Sequence, residues 1–112
     1  MLTVDTLRAY GANVDEALVR CMNNADFYLM LVGKAIEDSR LSLLAQQITE
    51  EKDFAAAFET AHALKGMYAN LSLTPLTKPV SEMTELLRSR TDTDYSVLLA
   101  EAAAQYEKLC SL

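Results

Sequence analysis

The sequence predicts one all-α domain, an antiparallel up-down four-helix bundle with a short helical extension at its N-terminus. Leu and Ala total 34 of the 112 residues, whereas Val and Ile total 8, and unbranched side chains lose the least rotamer freedom in a helix. Three glycines and two prolines are too few for the many turns of a β-sandwich or barrel. Four long segments repeat apolar residues at helical spacing, and short loops between such segments are typical of antiparallel neighbours.

The first two helices are predicted to be short. Thr3 is a suitable N-cap for the first, and Gly11 follows its end, where glycine adopts the left-handed conformation most easily. Asn13 is a suitable cap for the second. We therefore expect one domain over the whole chain, with an extension over about residues 3–22 and the bundle over about residues 24–111.

The first long helix of the bundle is predicted to be interrupted. Apolar pairs recur every four residues from Phe27 to Ile36, which indicates a broad buried stripe. Asp38 or Ser39 then breaks the pattern, and the apolar spacing resumes as far as Ile48. A bent or broken helix is the expected result.

The next helix carries the sole histidine of the chain. Asp53 is a good N-cap, and the helix is expected to run from Phe54 to about Leu71. At 100° per residue, His62 lies at the edge of the apolar face and is predicted to be half open to solvent. The apolar face itself comprises Phe54, Ala57, Phe58, Ala61, Leu64 and Tyr68.

Two further helices complete the predicted bundle. Thr74 and Pro75 are interpreted as the N-cap and first residue of the third long helix. Pro79 removes a backbone hydrogen bond, so the first turn of this helix should be either kinked or outside the regular helix. Residues 91–94 supply caps for the last helix. Its expected apolar stripe is Tyr95, Leu98, Ala102, Tyr106 and Leu109.

Charge and composition exclude several classes of function. The net charge of −6 and pI of about 4.6 argue against nucleic acid as a partner. The N-terminus lacks a cationic lead and an apolar core segment, and the longest apolar run has six residues, so we expect neither secretion nor membrane insertion. Cys21 and Cys110 are far apart and are predicted to be reduced, in the cytoplasm, and no metal site is expected.

Small residues surround the histidine and make it a candidate nucleophile. Gly66 lies inside a helix, at a cost of about 0.5–1 kcal/mol relative to alanine, which suggests a functional or packing reason. Lys65 places an ammonium group about one turn from His62. An imidazole with a pKa near its ordinary value of about 6.5 is largely neutral at neutral pH and can attack phosphorus through a ring nitrogen. The neighbours on the helix surface, expected to dock a partner, are Ala55, Phe58, Glu59, Gly66 and Ala69.

The run Ala61-His62-Ala63-Leu64-Lys65-Gly66, followed by Asn70-Leu71 and Leu73, resembles the signature of histidine-containing phosphotransfer (HPt) domains. The resemblance implies a phosphorelay intermediate. His62 would accept a phosphoryl group from the aspartyl phosphate of one receiver domain and pass it to another. Lys65 would stabilise the phosphoryl group, and Gly66 would keep the surface open. Many members have a small residue at Met67 and glycine at Ser72, so the end of the helix is expected to differ here.

The resemblance also implies the partners. These are response-regulator receiver domains and a hybrid sensor kinase, with Mg²⁺ bound only by the receiver and no cofactor on this chain. No glycine-rich ATP motif is present, so the chain is expected to be a monomeric phosphoryl carrier without kinase activity. Two alternatives remain: a helical adaptor that binds a signalling partner without being phosphorylated, and a module that serves only oligomerisation. His62 would then be a partly buried structural residue.

Overall fold

The computed structural model describes all 112 residues as an all-helical protein. Helices account for 75% of the residues and there is no strand, which confirms the predicted all-α class. Each of the four predicted long segments is present, the first as a pair of helices. The seven helices are α1 (Val4–Tyr10), α2 (Val14–Arg20), α3 (Ala25–Glu37), α4 (Arg40–Thr49), α5 (Phe54–Asn70), α6 (Thr74–Arg88) and α7 (Ser96–Cys110).

The caps of the two short N-terminal helices agree with the sequence. The Thr3 hydroxyl accepts a hydrogen bond from the Thr6 N–H at 3.0 Å, and the Asn13 side chain accepts one from the Glu16 N–H at 3.3 Å. Gly11 ends α1 with φ of +115°, a conformation that side chains with a Cβ rarely adopt. A Cβ there would also lie 3.0 Å from a ring carbon of Pro75. Both the backbone conformation and the limited space therefore favour glycine at this position.

The predicted interruption of the first long helix is confirmed at Asp38. This residue leaves the helical conformation with ψ of 121°, and α4 begins two residues later. The Asp38 carboxylate accepts hydrogen bonds from the Arg40 backbone N–H at 2.9 Å and from its guanidinium at 2.7–3.0 Å. The carboxylate therefore binds the first turn of α4, where backbone donors have no partner within the helix.

Two details of the prediction are wrong, and one alternative is excluded. Thr74 is the first residue of α6 and not its N-cap, which is Leu73. Pro79 is buried inside a continuous helix, which excludes the alternative in which the first turn lies outside the regular helix. The helix tolerates this proline because the N–H it lacks would bond to Pro75, at the very start of α6. Phe54 was expected in the core but is 39% exposed; as the first residue of α5, it has no preceding helical turn against which its side chain could lie.

One apolar core joins the whole chain. Each of the seven helices contributes to a cluster of 24 buried residues. The helix α5 packs against α4 and α6, α6 packs against α7, and α3 contacts α7. This arrangement leaves one face of α5 at the surface. None of the helices combines the length and apolar character needed to cross a bilayer.

Candidate functional site

The helix that carries the histidine is fixed by its cap and by its buried face. The Asp53 side chain accepts a hydrogen bond from the Ala56 N–H at 3.1 Å and so begins α5. Ala57, Ala61 and Leu64 are fully buried, and the two small side chains allow neighbouring helices to pack closely. His62 follows Ala61 directly, so the packing of Ala61 determines the direction in which the histidine leaves the helix.

The structure places His62 at the surface of the protein. Its side chain is exposed, in agreement with the helical projection, which placed it at the edge of the apolar face and half open to solvent. The imidazole stacks on the ring of Phe58, with ring centroids 5.8 Å apart and an angle of 17° between the planes. Phe58 is half-buried and packs against the core. An accessible imidazole therefore rests against an aromatic ring that the core immobilises.

The residues predicted to surround the histidine lie on the same exposed face of α5. Gly66 is exposed, and a Cβ at this position would meet no other atom within 4 Å. The interpretation of Gly66 as a packing notch between helices is therefore wrong, since no neighbouring helix approaches it. The remaining exposed members of the predicted docking set are Ala55, Glu59 and Ala69.

Lys65 already has an ion partner. Its Nζ lies 3.6 Å from Oε1 of Glu85 on α6, and its side chain is 34% exposed. The other carboxylate oxygen of Glu85 lies 3.4 Å from Nε of Arg88. Glu85 therefore bridges two cations beside the histidine, so any anion brought to His62 would compete with Glu85 for them.

Three charged residues of this region were not predicted as site residues. Arg88 and Arg90 place their guanidinium carbons 5.0 Å and 5.9 Å from the centroid of the Phe58 ring. Together with Glu85 they lie at or just beyond the end of α6. No local pattern in the sequence connects these residues with the histidine. Helical spacing relates residues of one helix, whereas this cluster depends on how α6 is aligned with α5.

Ser72 follows the end of α5, at the position where many members of the resembled family have glycine. Ser72 adopts a left-handed conformation with φ of +55°, which glycine would adopt at lower cost. Its hydroxyl accepts a hydrogen bond from Arg20 and donates one to Glu16, both at 2.8 Å. The hydrogen bonds that Glu16 accepts from Ser72 and from Arg20 hold the pKa of its carboxyl group below the ordinary value.

Met67, the other departure, is half-buried and faces away from the docking set. Its sulfur accepts a hydrogen bond of 3.7 Å from the Arg40 guanidinium at the start of α4. Since Met67 contacts α4, it does not narrow the open surface around Gly66. The departure at this position therefore leaves the face of α5 around the histidine accessible.

A separate cavity lies away from these residues. It has a volume of about 460 Å³ and lies where the break between α3 and α4 meets α7. None of the predicted site residues lines it.

No group of three or more His, Cys, Asp or Glu side chains lies close enough together to hold a metal ion. An exposed imidazole with cations nearby has the features that a group-transfer nucleophile needs, since such transfer depends on positioning and charge compensation.

Comparison with known families places these residues in context. The family model described as "Hpt domain" matches residues 32–111, which include His62 and every other residue of the predicted site. The comparisons with curated proteins and with solved structures found no match.

Proposed function

Because the chain belongs to the Hpt domain family, a family of phosphoryl carriers in two-component signalling, we propose that it is a relay intermediate phosphorylated on His62. The observation that carries the proposal is the exposed imidazole, stacked on Phe58 and followed by Lys65 and the open surface at Gly66. No other histidine is present.

The proposed step is an exchange of one bond for another. A lone pair on a ring nitrogen of His62 attacks the phosphorus of a receiver aspartyl phosphate. The N–P bond forms as the P–O bond to the aspartyl carboxylate breaks, and the bonding electron pair leaves with the carboxylate. Any proton displaced from the imidazole passes to water. Transfer to a second receiver reverses these events, with an aspartate as the nucleophile.

Lys65 is the proposed stabiliser of the phosphoryl group. Its ammonium lies beside the histidine face and is bound only by Glu85, at a distance of 3.6 Å, so it can turn toward a stronger anion. A phosphoryl group carries close to two negative charges at neutral pH. Mg²⁺ is expected on the receiver, and this chain needs no cofactor in the proposed step.

The proposed partners are receiver domains of response regulators and a hybrid sensor kinase. They would meet the exposed face of α5 formed by Ala55, Phe58, Glu59, Gly66 and Ala69. We propose a monomer that acts in the cytoplasm, a reducing compartment in keeping with the two unpaired cysteines. The antiparallel four-helix arrangement of α3 with α4, α5, α6 and α7 is part of the same proposal, supported by their short connections and pairwise packing.

The proposal is tested by mixing the protein with receiver domains from the same organism that carry radiolabelled aspartyl phosphate. We expect the chain to acquire a label that is stable to alkali and lost in acid, as a phosphoramidate is. His62→Gln should abolish the label while the circular dichroism spectrum stays helical. Labelling of His62→Gln at the unchanged rate would refute the proposal. Receiver binding without any label would identify the unphosphorylated adaptor instead.

A further inference from the structure

The ring of Phe58 is contacted by three functional groups at once. It stacks with His62 at 5.8 Å, and the guanidinium carbons of Arg88 and Arg90 lie 5.0 Å and 5.9 Å from its centroid. A guanidinium within about 6 Å of a ring centroid is attracted to the aromatic face. Phe58 is thus the residue through which the end of α6 acts on the histidine.

The two arginines are themselves restrained. Arg90 donates to the carbonyls of Leu87 at 2.9 Å and of Phe54 at 3.5 Å, which ties the chain after α6 to the first turn of α5. Arg88 is paired with Glu85. The Phe58 ring therefore packs against the core and is also contacted by two restrained guanidinium groups.

An exposed histidine on a helix would otherwise be mobile. Exposed side chains change rotamer on the picosecond to nanosecond timescale, and helical geometry directs a long side chain back toward residue i−4 without fixing its ring. Phe58 is residue i−4 for His62, and the near-parallel rings restrict the remaining rotation. A nucleophile that is already oriented reacts faster, since a misplacement of 1 Å can cost about a hundredfold in rate.

We infer that Phe58 is a positioning residue for His62, and that Arg88 and Arg90 hold the Phe58 ring in the orientation that supports the imidazole. The inference rests on the proposed function, in which His62 is the phosphoryl acceptor. It gives the two arginines at the end of α6 a role in the transfer step that does not require them to touch the phosphoryl group.

The first test is nuclear magnetic resonance of the imidazole, which needs no partner protein. The chain has one histidine, so its two ring C–H signals are identified directly. We expect both to lie upfield of the positions in a disordered peptide, because each is close to the aromatic ring. Phe58→Leu should move them to the disordered positions, whereas Phe58→Tyr, which keeps the ring, should not.

The matched control is Phe54→Leu. It makes the same substitution on the same helix, in an aromatic pair with Tyr95 (centroids 6.2 Å apart) that does not include the histidine. We expect it to leave the imidazole signals in place. The double variant Arg88→Gln, Arg90→Gln should shift the signals part of the way, because the Phe58 ring gains freedom. Wild-type signals in that variant would contradict the role of the arginines.

The second test is the rate of phosphoryl uptake from a receiver that labels the wild-type protein. We expect Phe58→Leu to slow uptake about tenfold, with Phe54→Leu close to wild type and Phe58→Tyr faster than Phe58→Leu. Unmoved signals in Phe58→Leu would overturn the inference, and so would moved signals with uptake equal to that of Phe54→Leu. Labelling of His62→Gln would instead defeat the proposed function and leave the measured ring contact standing.

Discussion

Gly66 and Gly33 are both helical glycines at which an added methyl group would meet no atom within 4 Å. Glycine is less favourable than alanine in a helix by about 0.5–1 kcal/mol. We therefore expect Gly66→Ala and Gly33→Ala each to raise the free energy of unfolding by roughly that amount, measured by urea denaturation. A loss of stability in Gly66→Ala would show that the space above it is not open.

Substitution of each glycine by a larger residue tests whether Gly66, unlike Gly33, must stay small for a receiver to dock. Gln is a good helix former and would project from either site without a clash in the free protein. Gly66→Gln should slow phosphoryl uptake from a receiver, because it obstructs the surface next to His62, while Gly33→Gln on α3 serves as the control. Equal uptake by the two variants would remove the argument that the open surface at Gly66 matters to docking.

Glu85 and Lys65 should have opposite effects on the phosphorylated state. Lys65→Ala removes a cation beside His62, so we expect the phosphohistidine to hydrolyse about twofold to fivefold faster. This range corresponds to the loss of one solvent-exposed charge interaction, which is small. Glu85→Gln removes the anion that binds Lys65 and Arg88 at 3.6 Å and 3.4 Å, and the half-life should lengthen. The measurement is loss of label after the receiver is removed. Changes of the same sign in both variants would contradict this arrangement of charges.

At the scale of the helix, α5 could be predicted almost completely. Asp53 caps it as expected, and its core face of Ala57, Ala61, Leu64 and Tyr68 is buried, because caps and apolar spacing are local properties of the chain. The contacts of Phe58 with Arg88 and Arg90 could not be predicted in this way. They depend on the alignment of α5 with α6, which is determined by packing across the whole core.

The contact between Asp38 and Arg40 at the break between α3 and α4 should make the stability of the fold depend on pH. Hydrogen bonds from Arg40 hold the pKa of Asp38 below its ordinary value, against the opposing effect of burial. A carboxylate whose pKa is lower in the folded state stabilises the fold above its unfolded pKa, and this contribution disappears as the pH falls through the folded pKa. Asp38→Asn should therefore cost about 0.5–1 kcal/mol at pH 7.

The control for Asp38→Asn is the same comparison in acid. Thermal or urea unfolding of the wild type and the variant should converge at a pH below the folded pKa of Asp38, where the wild-type carboxyl is also uncharged. A difference in stability that is constant from neutral pH to acid would show that the amide disturbs packing. The ionised pair with Arg40 would then contribute nothing measurable.

For the molecule as a whole, the sequence predicts one domain, with an extension over about residues 3–22 and the bundle over about residues 24–111. In the structure, Leu7, Val14 and Ala17 of the extension are buried in the same core cluster as the bundle residues. The spacing of apolar residues in a short helix shows which face is buried. It does not show whether that face packs on a neighbouring segment or on a distant helix, so the shared core could not be predicted from these helices alone.

The last prediction tests whether the extension and the bundle unfold together. Leu7 is fully buried, so Leu7→Ala should remove about 2–5 kcal/mol from the free energy of unfolding, a large share of the 5–15 kcal/mol typical of a domain. Val19, which is 74% exposed on α2, gives the control Val19→Ala, with an expected change within about 0.5 kcal/mol. If the core is continuous, Leu7→Ala lowers the midpoint of one cooperative transition, followed both by circular dichroism and by the imidazole signals of His62. A separate early transition that leaves those signals unchanged would mean that the N-terminal helices unfold independently and that the site on α5 is stable without them.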